Sequence, residues 1–327
     1  MSDQSLAAVD CGTNSTRLLV VHPDGKVAAR EMTITRLGEG VDAGRRLLPD
    51  AMERTLAVLR DYRRIMDTFG AARSRVVATS AARDATNAED FMEAVAGITG
   101  ARPEILTGEE EGRLSFAGAT AHLPGDVGLA APGPVLVADI GGGSTELAIG
   151  PVAGASPESE EVSTRSLDIG CVRVSERFLV HDPPRPDELV AAREAVESVI
   201  GASCVGLPEL APESPVIGLA GTVSTLTCLA RGITVYDRAR IHHAVLTRED
   251  VGRWLDALAA TDSRGRLEMP GMVAGREDVI VGGVLILDVI MNVFARPRCL
   301  VSEDDILDGL VMSLRAGMPR PDEVRHP

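Results

Sequence analysis

Lysine is almost missing from this chain: Lys26 is the only one in 327 residues, so any grip on an anion falls to arginine, whose planar fork suits bidentate contacts. The same scarcity removes the lysine on which a Walker-type nucleotide loop depends. Aromatic residues supply 2% of the chain while hydrophobic residues make up 45%, so the interior is built from Ala, Val, Leu and Ile and platforms for stacking bases are scarce. Positive charge is outnumbered as well. A formal net charge of −15 sets up a repulsive far field for nucleic acid and anionic membranes, which argues against both as partners and confines any polyanion to a local patch. No C-x-x-C pair is present; Cys11, Cys171, Cys204, Cys228 and Cys299 are odd in number and widely spread, which fits free thiols in a reducing cytosol. Long apolar runs are also absent. Leu6 to Val9 is broken by Asp10, and Gly282 to Ala295 is interrupted by Asp288 and Asn292, so a cytoplasmic chain with no signal peptide and no membrane anchor is expected.

What is present alternates strand and helix patterns. Apolar runs at Leu6 to Val9, Arg17 to His22 and Val27 to Leu37 read as three strands, and Pro49 to Phe69 carries Met52, Leu56, Leu59, Tyr62, Ile65 and Met66 at helical spacing. Arg75 to Thr79 reads as a buried strand, Asn87 as the cap of a helix through Ala96, and Thr107-Gly108-Glu109-Glu110 as a capping box opening another. A Gly-, Pro- and Ala-rich stretch from Leu123 to Pro134 is the candidate domain boundary. Beyond it the pattern predicts strands over Val135 to Ile149, Val162 to Ile169 and Val216 to Leu219. Helices are predicted near Val172 to Leu179, Glu188 to Ile200, Glu249 to Ala260, Asp278 to Phe294 and Asp304 to Arg315.

One segment occurs twice. D-C-G-T-N-S-T-R-L-L-V at 10 to 20 and D-I-G-G-G-S-T-E-L-A-I at 139 to 149 share Asp, Gly, Ser, Thr and Leu in register, each between two apolar strands, which predicts two similar lobes facing one another. Glycine and small hydroxyl residues let backbone amides approach an anion closely, so Gly12, Thr13, Asn14 and Ser15 form one candidate phosphate loop. Gly141, Gly142, Gly143, Ser144 and Thr145 form the other. Gly221 and Thr222, in G-L-A-G-T at 218 to 222, offer a third between a strand and a helix start. Any one such turn alone reads as an ordinary hairpin; the repeated register favours phosphate. Carboxylates at the loop edges, Asp10, Asp139 and Glu146, are candidate ligands for Mg²⁺, with Mn²⁺ as the alternative, since hard cations take oxygen ligands shared with phosphate. The other reading of these acids is turn capping for the aspartates and a solvated strand position for Glu146. The run Glu109-Glu110-Glu111 by itself serves a helix dipole. None of the six histidines has a catalytic context, and His242-His243 reads as structural or exposed.

These loops, with A-T-S-A-A-R-D-A-T-N at 78 to 87, L-T-G-E-E-E-G-R-L at 106 to 114, R-L-G-E-G at 36 to 40 and P-G-M-V-A-G-R-E-D at 270 to 278, resemble the Ppx/GppA phosphatases in order and spacing. The resemblance covers nearly the whole chain. It implies an α/β, two-lobed actin-like ATPase fold of ribonuclease H-like type, with mixed sheets flanked by helices and an interlobe cleft. The implied domains span 1–125 and 126–303, with a helix at about 304–327 packing back on the first. It further implies release of terminal phosphate from polyphosphate or from pppGpp and a homodimeric assembly. Glu111 becomes the catalytic glutamate, and Arg83 and Arg276 match arginines associated with substrate phosphate; Arg17, in the first loop, is expected to assist them. Three positions depart from the family pattern: Thr13 for a frequent serine, Gly112 for a common alanine, and Leu307-Asp308-Gly309 for Arg-Glu-Gly, which withdraws one basic contact. Without the carboxy-terminal helical domains of longer exopolyphosphatases, short chains are the expected substrate. Competing readings are an ATPase or small-molecule kinase of the same superfold, and a sensor that binds polyphosphate or nucleotide without turnover.

Overall fold

The structure is a computed structural model that describes residues 4–123, 133–152, 161–212, 214 and 216–317. Strands β1 (Ser5–Cys11), β2 (Ser15–Val21) and β3 (Val27–Ile34) form an antiparallel meander, followed by α1 (Val41–Gly44), α2 (Pro49–Thr68), β4 (Ala71–Ala78), α3 (Ser80–Asp84), α4 (Ala88–Thr99), β5 (Glu104–Ile105) and α5 (Gly108–Thr120). The second half repeats the plan with β6 (Val135–Ile140), β7 (Thr145–Gly150) and β8 (Ser163–Leu167), then α6 (Cys171–Phe178), α7 (Pro186–Ser203), β9 (Val216–Leu219) and α8 (Ala220–Arg231). It closes with α9 (Arg238–Ile241), β10 (Val245–Thr247), α10 (Arg248–Ala259), α11 (Ser263–Leu267), α12 (Ile280–Val293), β11 (Arg298–Val301) and α13 (Ile306–Ala316). Strand order is β3-β2-β1-β4-β5 in one sheet and β10-β11-β9-β6-β7-β8 in the other. From the meander inward the two orders are the same, with β4 parallel to β1 and β9 parallel to β6. This is the two-lobed actin-like arrangement.

Local chemistry explains the elements that matter here. β1 and β6 are central strands buried along their whole length, hence their nearly unbroken apolar runs up to Asp10 and Asp139. Helix α12 is apolar around most of its circumference and buried from Ile280 to Met291, a core helix of the second lobe whose Asp288 pairs with Arg193 at 2.7 Å. Helix α5 starts with the expected capping box, Thr107 Oγ1 accepting from the Glu110 amide and Glu110 Oε2 from the Thr107 amide. Asn87 is different. It precedes α4 but caps nothing: its side chain accepts from the Leu47 amide and donates to the Leu47 carbonyl, tying α4 to the loop before α2.

Helices α5 and α13 lie between the lobes. Leu114 joins Leu6, Leu19 and Val77 of the first sheet and Leu310 and Leu314 of α13, while Phe116 and Ala119 pack on Val137, Ala148 and Ile217 of the second sheet. The two helices cross on glycine: a Cβ at Gly118 would stand 1.9 Å from the Asp305 carbonyl oxygen, and one at Gly309 2.1 Å from that of Leu114. Much of the expected domain boundary, residues 124–132, and the chain end, 318–327, lie outside the described residues. Among the described residues no helix is long and apolar enough to cross a membrane.

Candidate active site

The two repeated segments fold into the same turn. Asp10 pairs with Arg17 across β1 and β2, Asp139 pairs with Glu146 across β6 and β7, and each turn closes with an equivalent bond, Gly12 N to Ser15 O and Gly141 N to Ser144 O, both 3.0 Å. The turns meet tip to tip across the cleft, where a Cβ on Gly142 would lie 2.9 Å from that of Thr13. Both are held from behind through their carbonyls. The amides of Gly38, Thr35 and Arg36 donate to the Thr13 and Asn14 carbonyls, and those of Cys171 and Val172 to Gly141 and Gly142. Gly142 and Gly143 line the cavity with their carbonyls engaged behind, and backbone amides at such a turn suit an anion. Arg173 extends this tether: its Nε donates to the Gly143 carbonyl at 2.8 Å, its Nη1 pairs with Asp42 at 2.6 Å, and its Nη2 pairs with Asp84.

A small cavity of about 70 Å³ lies between the turns. Of the sequence-predicted residues, Asp10, Gly12, Thr13, Asn14, Ser15, Arg17, Glu111, Asp139, Gly141, Gly142, Gly143, Ser144, Gly221, Thr222 and Arg276 line it. The third predicted loop leads from β9 into α8 with Ala220 at φ 68, a left-handed conformation that aims the helix start at the cavity. Gly221 is dictated by Arg276, whose Nη1 occupies the place, within 1.3 Å, where a Cβ would stand. Arg276 has no ion-pair partner among the described residues, and its buried Nε has no hydrogen bond, so a guanidinium stands ready for an anion.

Three predicted residues do not line the cavity. Thr145 faces the core of its own lobe, fully buried, and donates to the Ile169 carbonyl at 2.6 Å; as a substrate contact it is corrected to a structural residue. Arg83 sits behind Glu111, donating to its Oε2 at 2.6 Å and to the Leu106 carbonyl at 2.9 Å, with Ser144 Oγ at 3.4 Å. Glu146 lies beside it, 3.9 Å from Arg83, accepting from Ser166 Oγ at 2.7 Å. Asp10, Asp139 and Glu146 therefore do not converge, and no cluster of three metal-ligating side chains exists among the described residues. Arg17 is already neutralised, with Asp10 at 2.6 Å and Asp305 at 2.5 Å. Sequence reasoning missed Asp305 and Ser115, whose hydroxyl donates to Asp139 Oδ2 at 2.6 Å. It also read Cys171, which lines the cavity, as only a buried thiol.

The electrostatics are those of a buried acid cluster. Burial pushes the Glu111 carboxyl up to about 7 against the opposing pull of Arg83, with Asp10 and Asp139 adding to the rise. Glu146 is raised well above the usual range by burial and then by Glu111 and Asp139. Asp10 and Asp139 are raised by burial, with Arg17 acting against it in both. A cation suits this place: Asp10 Oδ1 is buried without any partner, at the cavity wall and across the cleft from Asp139. Mg²⁺ takes one or two carboxylates and fills its remaining positions with substrate oxygens and water, so this donor set fits it.

Comparison with known proteins agrees with the geometry. A model of the Ppx/GppA phosphatase family matches residues 20–316. Exopolyphosphatase 2 of Mycobacterium tuberculosis is 40% identical over 326 residues, which cover 94% of this chain and 98% of that one. The guanosine-5'-triphosphate,3'-diphosphate pyrophosphatase of Vibrio vulnificus is 30% identical over 98% of this chain and 61% of its own length. A solved exopolyphosphatase-like protein matches with a TM-score of 0.87 at 33% identity, over 96% of this chain and 100% of that one. This chain belongs to the Ppx/GppA phosphatase family.

Proposed function

We propose that the chain hydrolyses the terminal phosphoanhydride of short polyphosphate and releases orthophosphate to water. The observation that carries the reading is the buried Glu111 carboxyl, pushed up to about 7 by burial and held by Arg83, at the wall of a cavity where two equivalent anion turns meet. The turn amides, the start of α8 and Arg276 hold the terminal phosphates, and Glu111 takes a proton from a water placed in line with the scissile bond. Arg83 fixes the Glu111 rotamer and stabilises its ionised form, and Glu146 positions Arg83. Asp10 and Asp139 would hold Mg²⁺, which when bound neutralises phosphate oxygens. Five free thiols support a cytoplasmic setting, and a homodimer is part of the same reading.

A second substrate has one observation in its favour. Beyond Arg276 the cleft opens into a cavity of about 450 Å³ that carries Tyr236, one of the chain's two tyrosines, where the nucleoside of pppGpp would find room. The deciding measurement is phosphate release from tripolyphosphate, pppGpp and ATP with millimolar Mg²⁺. We expect tripolyphosphate to give the highest kcat/KM. Release from none of the three, or transfer of phosphate to an acceptor other than water, would refute the hydrolase reading. A higher kcat/KM for pppGpp would select the second substrate.

The pH profile gives a further expectation. Only ionised Glu111 can accept a proton, so kcat/KM should fall about tenfold per unit as pH drops below about 7 and level off above it. A flat profile between roughly pH 5.5 and 8 would remove Glu111 from the base role. Stability moves the other way. Because the folded pKa is raised, the contribution of this group is full below the unfolded value of 4.5 and is lost as pH rises through about 7.

A further inference from the structure

We infer that Glu303 ends the phosphate chain at the exit of the catalytic cavity and so restricts the substrate to the few phosphates that the turns and Arg276 neutralise. The inference rests on the hydrolase reading above. Two larger cavities share lining residues with the small one, and a chain held with its terminal phosphate at Glu111 can extend into either. One is the 450 Å³ cavity beyond Arg276; the other, of about 320 Å³, opens beside Thr13 and Asn14.

Four arginines line the first opening, Arg17, Arg30, Arg238 and Arg276, and all but Arg276, at its border with the catalytic cavity, are spent. Arg17 pairs with Asp10 and Asp305, Arg30 with Asp308 at 2.6 Å and Asp305 at 3.7 Å, and Arg238 with Asp304. Three guanidiniums thus meet four carboxylates. Glu303 then stands without any ion-pair partner among the described residues. Its two oxygens accept from neutral hydroxyls, Ser224 Oγ and Tyr236 OH, and its backbone amide donates to His242 Nδ1 at 3.0 Å, so the carboxylate is pinned in the wall rather than swinging in solvent. Leu307, in the same wall, contributes no charge. A neutral, hydrogen-bonding group can occupy this space, whereas each further phosphate would bring a negative charge against an unpaired one. The second opening is no more welcoming: Glu39, Glu176 and Asp278 line it against one arginine, Arg36, which Asp278 already pairs at 2.9 Å. Both exits are acidic; the unpaired cation, Arg276, is shared by the catalytic cavity and the inner wall of the first exit.

The test compares tripolyphosphate with chains of several tens of phosphates, per chain end, in the full-length protein and its Glu303→Gln variant. Glutamine keeps the shape and one acceptor while removing the charge. Expected is a wild-type preference for tripolyphosphate, with Glu303→Gln raising kcat/KM for the long chain about tenfold and leaving tripolyphosphate within about twofold. Tyr236→Phe, which removes a hydroxyl and no charge, should leave the chain-length profile as in wild type. The same pair of ligands is titrated calorimetrically into Glu111→Gln, with and without Glu303→Gln, to read binding apart from turnover. If wild type hydrolyses neither substrate, the hydrolase reading fails, and relief of the short-chain binding preference by Glu303→Gln would still uphold the gate. An unchanged profile and unchanged relative binding in Glu303→Gln would overturn the gate whether or not the protein turns over. A Tyr236→Phe effect equal to that of Glu303→Gln would overturn it too, by showing that wall structure and not charge sets the length.

Discussion

Replacing Glu111 with glutamine should lower kcat for tripolyphosphate by about 1,000-fold while the fold is kept, the scale on which removal of a positioned general base acts. The side chain is buried, and the glutamine carbonyl can still accept from Arg83 Nη1, which contacts Oε2 at 2.6 Å in the native protein. Arg83 therefore retains a partner, and circular dichroism and Tm should hold. KM should change little, because on the proposed reading the turns and Arg276, and not Glu111, grip the substrate. The diagnostic readout is the pH profile: the residual activity should lose its limb near pH 7. Phosphate release within a few fold of wild type would reject Glu111 as the base.

The second large effect concerns stability. Gly309→Ala puts a methyl group where the Leu114 carbonyl oxygen lies 2.1 Å away, a distance that no rotamer change relieves because the obstacle is backbone. Helices α5 and α13 must move apart, and the cost should be about 3 kcal/mol, seen as a Tm lower by roughly 4–6 °C. Gly118→Ala should act similarly from the other side, at 1.9 Å from the Asp305 carbonyl. Helix α5 also carries Glu111, so kcat at a temperature where both variants remain folded should fall with the packing. Calorimetry showing either variant as stable as wild type would mean that the crossing is not tight.

The repeated turns were legible because both of their determinants are local: a buried strand ending in aspartate, then glycine and hydroxyl residues at fixed offsets. The three consecutive glutamates were not separable by composition. On the helix they point about 100° apart, and each goes to different work. Glu109 is exposed and pairs with Arg113 at 3.4 Å, Glu110 closes the capping box, and Glu111 alone is buried at the cavity. The capping-box pattern, visible in the sequence, already assigned Glu110. Thr145 was misread because it is the first residue of β7, where alternation turns successive side chains to opposite faces. Thr16, its counterpart in the first copy, is likewise fully buried and bonds Thr35 Oγ1 at 2.9 Å. Arg173 and Asp42 stand 131 residues apart, and an arginine on one helix carries no sign of an aspartate in another lobe. Asn87 obeyed a valid local preference that a tertiary contact overrode.

In charge, the two copies of the turn differ at one register position. Opposite the loop aspartate stands Arg17 in the first copy and Glu146 in the second. A scaffold built from like halves, holding a ligand whose repeating units are alike, has no means of telling head from tail. The one exchanged pair supplies it. Arg17 is closed into ion pairs with Asp10 and Asp305, whereas Glu146 lies beside Arg83 and the buried Glu111, so on the proposed hydrolase reading the two ends of a phosphate chain meet different surroundings.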